Sequence, residues 1–561
     1  MVFLKDTILK ELQTNPVTQQ MIHFGNNIGN LFPNEEALCL ASAFQMDKKT
    51  RIVVKKNRYE AQQLYQRLQP LVDDALLFVM EESLRVQAIA SSPEDKQEQI
   101  YVLTQLVKED KPRIIVCNTA AFFRYLPDRE LFKSLCFQFE VDQEISMSEL
   151  KRILNRAGYT KVNYVDRPCT YASRGGIVDV YCLEYEHPIR IEFFDTVIES
   201  IRLFHEETQR TIKTIDSVFI NPATDLLFAD EQINYLQKEI DKELEKQQTK
   251  LIPDDYEFLL DYIEKDKISL ENYDIDPHLY IYYSYLKANK LTDYVNGNII
   301  FSSQEEVENG YKKLNEETIT FIQEMVQSHQ YLPKYNMFHD IFKFEEDYKI
   351  QMFHDFLDFK NPIFSKIETL EKSDQPLIQI LENLEGENIY ISLDEEHTKK
   401  VQEALKAYSI RKNITFIEND FYEGFTYEDI SVYTQQELFH RPSQIKRYQK
   451  TFKQGQIIQN ILELEPNDYV VHEQYGIGQY VGITTRKVKG KTLDYLHVLY
   501  NGGDELFVPL SQFQLVRKYV SKEGAGIKLS QLGSNKWKKT KEKVSKKVEE
   551  IAARLVELYA K

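Results

Sequence analysis

Four stretches of this 561-residue chain have residue types that could do chemistry, and spacing decides what each one is. Asp394-Glu395-Glu396-His397 follows the apolar run 388–393, as the acidic element of a helicase follows its strand to hold magnesium and polarise water. That chemistry also needs a phosphate cradle upstream. No Gly-Lys-Ser/Thr precedes Asp394, so the four residues read as the acidic first turn of a helix, favoured by its dipole. Gly490-Lys491-Thr492 ends like a phosphate loop, but such a loop has a glycine where this chain has Thr485, and it must open a helix. Residues 493–500 alternate like a strand, so a hairpin turn is expected there. Gly476-Ile477-Gly478-Gln479-Tyr480-Val481-Gly482 has one residue too many before its last glycine for a dinucleotide fingerprint, and it leads into a strand. Its glycines read as tight turns or close backbone approaches. The 11 histidines show no HExxH spacing, His472 reads as a structural hydrogen-bonder, and no GxSxG occurs. No catalytic constellation, metal site or cofactor site is expected.

The elements that carry these stretches lie in an acidic chain. It has 70 Lys and Arg against 88 Asp and Glu, a net charge of −18, which excludes a protein that coats nucleic acid over its whole surface. Basic charge is concentrated in residues 521–561, where 11 Lys or Arg face 5 Asp or Glu, a net of +6. There Trp537, Val544, Val548, Ile551, Leu555 and Leu558 make the apolar stripe of a terminal helix. No apolar run reaches the roughly 18 residues of a spanning helix, and residues 1–15 mix Lys5, Asp6, Lys10 and Glu11 into their apolar positions. Neither a membrane span nor a signal peptide is expected. Cys39, Cys117, Cys136, Cys169 and Cys182 form no CxxC pair, which points to a reducing cytoplasm without disulfides or a zinc knuckle. No glycine lies between Gly29 and Gly158, so no phosphate loop is hidden there.

The length predicts roughly four domains with separate cores. Residues 51–55, 76–80 and 113–118 read as strands of one α/β layer, with Asn57 capping a helix over 58–68. From about Ser134 the texture becomes a small inserted α+β domain, in which Ser146 and Glu149 suit a capping box and Gly158 closes the helix. Residues 230–327 read as mostly helical, with Tyr256, Tyr262, Tyr273, Tyr280, Tyr282, Tyr283 and Tyr285 among acids that would repel phosphate, so these rings are expected to pack rather than stack bases. A further α/β unit is expected from about Tyr348, with strands at 388–393 and 413–418, and a small glycine-punctuated β-barrel over 466–520.

One segment does not reduce to such readings. Ser173-Arg174-Gly175-Gly176-Ile177-Val178-Asp179-Val180-Tyr181, Pro188-Ile189-Arg190-Ile191-Glu192-Phe193-Phe194-Asp195 and Ile198-Glu199-Ser200-Ile201-Arg202 repeat one alternation over three strands. Period two sends Arg190, Glu192 and Phe194 to one face and Ile189, Ile191 and Phe193 to the other. That outer face is either a solvated set of ion pairs or a recognition surface.

The three-strand segment resembles the small inserted domain shared by the bacterial excision-repair damage loader UvrB and the transcription-repair coupling factor family. Asp468-Tyr469-Val470-Val471-His472, Gly476-Ile477-Gly478-Gln479-Tyr480, Tyr495-Leu496 and Leu506-Phe507-Val508-Pro509-Leu510 are similar to that family's polymerase-interacting domain, itself similar to the CarD regulators. Glu423-Gly424-Phe425 with residues 430–433 fits the nonspecific domain between them. The resemblance covers essentially the whole chain. It implies an α/β multidomain fold: a UvrB-like α/β module without a phosphate loop (1–133 and 223–347), an inserted UvrA-binding domain (134–222), a second small α/β domain (348–456), a small Tudor-like β-barrel (460–520) and a C-terminal linker helix (521–561). ATP, magnesium and most DNA contact are expected only in the motor domains of the full-length family. By motif, UvrA should meet Arg174, Arg190 and Phe194, flanked by Asp195 and Glu199, the Arg fork suiting carboxylates. The RNA polymerase β subunit should pair with an exposed edge at 494–500, through Asp494, Tyr495, Leu496, His497 and Val498, with Leu496 as pocket anchor. The implied role is an adaptor in transcription-coupled nucleotide-excision repair. A degenerate NTP-dependent DNA helicase or nuclease subunit and a CarD-like regulator are the alternatives.

Overall fold

The computed structural model describes residues 4–25, 28–29, 31–82, 93–206, 208–354, 363–370, 375–418, 420–439, 469–472, 475–488, 491–502, 504–509 and 516–518. They fall in two compact units, Met1–Lys450 and Thr451–Lys561. The terminal helix expected over 521–561, with its stripe from Trp537 to Leu558, lies outside the described residues.

The first unit is built on a parallel sheet. Strands β1 (Ile28–Gly29), β2 (Arg51–Lys55), β3 (Ala75–Phe78) and β4 (Ile114–Asn118) precede the inserted domain. The β-branched runs of β2 and β4 are buried on both faces, as a helix-covered parallel sheet requires. Asn57 caps the helix Arg58–Leu68 by accepting from the Glu60 N–H at 2.9 Å.

The insert leaves on β5 (Phe137–Glu140) and returns on β12 (Ser217–Ile220), which pair antiparallel. Between them the helix Met147–Arg156 is capped by Ser146, whose Oγ accepts from Glu149 N–H, and Gly158 takes the left-handed conformation (φ +82°) that follows the helix. Strands β6 (Thr160–Lys161), β7 (Thr170–Arg174), β8 (Ile177–Tyr181), β9 (Ile189–Phe194), β10 (Val197–Phe204) and β11 (Thr211–Ile215) form one sheet, neighbour to neighbour.

After the insert come helices Asp230–Gln248, Pro253–Asn272 and Gln304–Gln327. They are interrupted by β13 (Asn298–Phe301), whose four residues the helical reading passed over; β13 pairs parallel with β2. Strand β14 (Ile350–His354) pairs with β13 and β1, giving the sheet order β1-β14-β13-β2-β4-β3. The division expected at Tyr348 therefore falls after His354. A second mixed sheet follows, of β15 (Glu368–Thr369), β16 (Asn388–Ser392), β17 (Ile414–Ile417), β18 (Phe425–Tyr427) and β19 (Ile430–Thr434). Its order is β15-β18-β19-β16-β17.

Cores are shared across the expected domain boundaries, although the second mixed sheet also has a cluster of its own, with Ile389, Ile391, Leu393, Val401, Tyr433 and Leu438. One face of the parallel sheet, through Ile52, Val54, Ile115 and Cys117, joins a single apolar cluster with Leu150 and Leu154, the inner residues Val178, Val180, Ile189 and Ile191 of the insert, and Tyr280, Tyr282 and Tyr283. The other face, through Val53, Val116 and Ile300, shares a cluster with Leu38, Leu40, Phe425, Ile430 and Val432. Alternation along β2 thus feeds two cores from one strand. The tyrosines pack as expected: Tyr280 donates to the Met337 carbonyl at 3.0 Å, and Tyr282 donates to Asp266 at 2.6 Å. A buried Arg124–Asp225 pair at 2.6 Å ties the sheet to the segment after the insert.

The second unit is antiparallel: β20 (Tyr469–His472), β21 (Gly476–Val488), β22 (Lys491–Leu499), β23 (Glu505–Pro509) and β24 (Val516–Lys518), in the order β23-β22-β21-β20-β24. Gly478 is required by close approach, since a Cβ there would lie 2.4 Å from Val498 Cγ1.

Candidate functional site: the outer face of the inserted sheet

Two tight turns bring the site together. Arg174 pairs with Ile177 across Gly175-Gly176, where Gly175 has φ +54°, and Phe194 pairs with Val197 across Asp195-Thr196, where Asp195 has φ +57°. Strands β8 and β9 are antiparallel, with Ile177 opposite Glu192, so both turns lie at the same end of the sheet. Phe193 N–H donates to the Gly176 carbonyl at 2.8 Å and locks one turn to the other. Arg174, Phe194 and Asp195 are all exposed there, Phe194 at 75%. Arg174 donates from Nη2 to the Asn163 carbonyl at 2.9 Å. Glu199 is the extra residue of a bulge between Ile198 and Ser200 on β10, and it is exposed.

Alternation on β9 follows the predicted pattern: Ile189, Ile191 and Phe193 are buried, Arg190 and Glu192 half-buried, Phe194 exposed. Arg190 differs from its expected role in one respect. Its Nε and Nη2 donate to the two Asp179 carboxylate oxygens at 2.7 and 2.8 Å, Nη2 also reaches Gln209 Oε1 at 2.8 Å, and the guanidinium lies 4.3 Å from the centre of the Phe204 ring. The Asp179 bonds outweigh desolvation and raise the arginine above its ordinary value. Beside it, Glu192 accepts from Ser200 Oγ and from Arg202. The middle of the face is thus a set of cross-strand ion pairs, and its turn end is an exposed aromatic and arginine. Asp179 could have been read as outward-facing from its alternation on β8; Gln209 and Phe204 lie beyond any motif.

At the second site the open edge expected over 494–500 is corrected. Strand β22 is paired on both sides, Leu496 to Ile483 of β21 and to Val508 of β23, so Tyr495, Leu496, His497 and Val498 are interior to the sheet. Leu496 and Val498 are fully buried, and His497 stacks on Phe507 at 4.6 Å. Asp494 is the exception: β23 stops at Tyr495, and residues 491–494 pair only with β21 among the described residues. Residues 482–488 of β21 likewise pair only with β22, because β20 covers no more than 476–479.

The decoys resolve as their spacing requires. Asp394 is the cap of the helix Glu395–Ala407: it accepts from His397 N–H at 2.9 Å and meets the His397 ring, bonds that hold its carboxyl below the usual range against the effect of burial. Glu395 and Glu396 pair with Lys399 and Lys400 one turn on. Lys491 and Thr492 open a strand opposite Val488 and Lys487. Burial pushes the Cys39, Cys136 and Cys169 thiols up to about 12, which leaves them unreactive. Among the described residues no three or more His, Cys, Asp or Glu are grouped to hold a metal, and no helix is long and apolar enough to cross a membrane.

Comparison with known proteins bears on both sites. A family described as "UvrB interaction domain" matches residues 137–226, which contain the whole six-stranded sheet. A "CarD-like/TRCF RID domain" matches residues 464–520, which contain β20 to β24. The transcription-repair-coupling factor of Bacillus subtilis (strain 168) is 30% identical over 543 residues, 91% of this chain and 46% of that protein. Those of Staphylococcus haemolyticus and Staphylococcus epidermidis are 28% identical over 95% of this chain and 48% of their own length. The chain spans about half the length of the curated relatives it matches, and it resembles their N-terminal, non-motor part.

Proposed function

We propose that this chain is the adaptor portion of a transcription-coupled nucleotide-excision-repair factor, which recruits UvrA through the inserted sheet and grips RNA polymerase, by its β subunit, through the second unit. The observation that carries the reading is Phe194: a large aromatic left 75% exposed on a tight turn, beside Arg174, in the segment similar to a UvrB interaction domain. Exposed aromatics and arginines together are typical of binding hot spots. Arg174, Phe194, Asp195 and Glu199 offer the contact, and Arg190 offers what its Asp179 pairing leaves available.

For the polymerase the pairing edge is residues 482–488 of β21, which among the described residues pair with β22 alone. A strand added there would gain a row of backbone hydrogen bonds. The Tudor-like barrel form of this unit, and a cytoplasmic setting, belong to the same reading. ATP, magnesium and DNA translocation are assigned to the motor of the full-length family and to no residue described above. The helicase alternative has nothing comparable, because Asp394 and Lys491 are a helix cap and a strand start. The test is binding of the purified chain to purified UvrA and, separately, to core RNA polymerase. Capture of both supports the adaptor; polymerase alone supports a CarD-like regulator; neither overturns the reading.

A further inference from the structure

The outer face of the inserted sheet contains a repulsive juxtaposition. Arg190 on β9 and Arg202 on β10 are directly opposite cross-strand partners. Like charges so placed destabilise a sheet and drive side chains apart. Each arginine is held in place by its own acid: Arg202 by Glu192, which Ser200 also braces, and Arg190 by Asp179, the residue opposite it on the other side. The Asp179 bond is bidentate and uses the Nε and Nη2 edge, Gln209 takes Nη2 again, and Phe204 supports the guanidinium plane. The Nη1 end takes no part in these bonds. A planar fork held on one edge and one face has a single remaining direction in which to donate.

We propose that Asp179 is a positioning residue for the UvrA-binding face: it anchors Arg190 against the repulsion of Arg202 and so fixes the Nη1 end toward a carboxylate of the partner. The inference rests on the UvrA reading above. It makes Asp179 act on binding only through Arg190, although Asp179 carries the charge least suited to an acidic partner. Without Asp179 the arginine gains net positive charge at the surface but loses its orientation, and orientation wins because a bidentate partner is geometric as well as electrostatic.

The experiment is a double-mutant cycle on the full chain, with UvrA affinity as readout and Phe194→Ala as reference. Asp179→Ala should weaken binding roughly tenfold, Arg190→Ala by at least as much, and the double variant no more than Arg190→Ala alone. Wild-type affinity for Asp179→Ala, or losses that multiply in the double variant, would overturn the proposal. Should Asp179→Ala melt early, Asp179→Asn keeps an acceptor oxygen in place. In that variant the Nε–H NMR resonance of Arg190 should exchange faster than in the wild type, where Asp179 holds it, and an unchanged exchange rate rejects the anchor. If Phe194→Ala loses binding while Arg190→Ala does not, only this inference fails. If neither variant loses binding, the UvrA reading fails and the inference goes with it.

Discussion

Phe194 makes few contacts inside the chain, so replacing it by alanine should leave folding untouched and remove only what a partner gains from the ring. Phe194→Ala is expected to weaken UvrA binding by about 2 kcal/mol, with the melting temperature unchanged. Calorimetric binding together with a thermal melt checks both halves. A second residue behaves in the opposite way. His278 is half-buried between Asp266, at 2.7 Å, and Asp276, at 3.5 Å. Burial alone would lower its pKa, but the two carboxylates outweigh burial and raise it. A group whose folded pKa exceeds its unfolded value of about 6.5 stabilises fully below that value and loses the contribution as pH rises through the folded pKa. The melting-temperature gap between wild type and His278→Gln should therefore be wide near pH 6 and narrow toward pH 8. A gap independent of pH would mean that folding does not shift the imidazole. Only the first is legible from spacing: alternation on one strand places Phe194 outward, whereas Asp266 and His278 meet only because a helix and the 3-10 turn Pro277–Tyr285 fold onto each other.

Elements set a second level, at which strand identity was readable and strand order was not. The alternation of 493–500 predicts β22, yet nothing local says that β23 covers it from Tyr495 to Leu499. A central strand and an edge strand have the same period, and pairing partners are chosen by the whole sheet. Leu496→Arg buries an unpaired charge in the sheet and should unfold the second unit, seen as lost β signal in circular dichroism, rather than act on polymerase alone. The selective variant lies on β21. Val488 and Lys491 flank a two-residue connection and so form a hydrogen-bonded pair, and alternation from there turns the Thr485 N–H outward. Thr485→Pro deletes that outward donor at an open edge, where proline is tolerated. It should abolish co-purification with polymerase while the chain keeps its melting temperature. Retained binding would move the contact to β23 or to another face.

At the scale of the whole molecule, the two faces of one parallel sheet share their cores with the inserted domain and with part of the second mixed sheet, which also has a core of its own, so the domains that length suggests do not each close on a separate core. At the carboxyl end of that sheet, where nucleotides usually bind, the described lysines are paired with the chain's own acids. Lys55 pairs with the buried Glu36 at 2.8 Å, Ser302 donates to the same carboxylate at 2.5 Å, and Lys56 bridges Glu60 and Glu306 at 2.8 Å each. Lysines already engaged by acids are not arranged to cradle a phosphate, and no phosphate loop precedes Asp394, so the chain is expected to show no ATP turnover, with or without DNA. A coupled phosphate-release assay checks this.

The candidate UvrA face and the candidate polymerase edge lie in different compact units, the first within Met1–Lys450 and the second within Thr451–Lys561. Effects at sites that share no partners add. Phe194→Ala should thus weaken UvrA binding and spare polymerase, Thr485→Pro should spare UvrA and lose polymerase, and the double variant should show the two single losses and nothing more. The informative measurement is a bridging assay, in which immobilised polymerase captures labelled UvrA through the chain. Phe194→Ala should weaken bridging and Thr485→Pro should abolish it, since an adaptor needs both ends. Bridging that survives loss of either end would show a direct UvrA–polymerase contact or a second surface on this chain, and a Phe194→Ala chain that also releases polymerase would show that the units are coupled rather than joined.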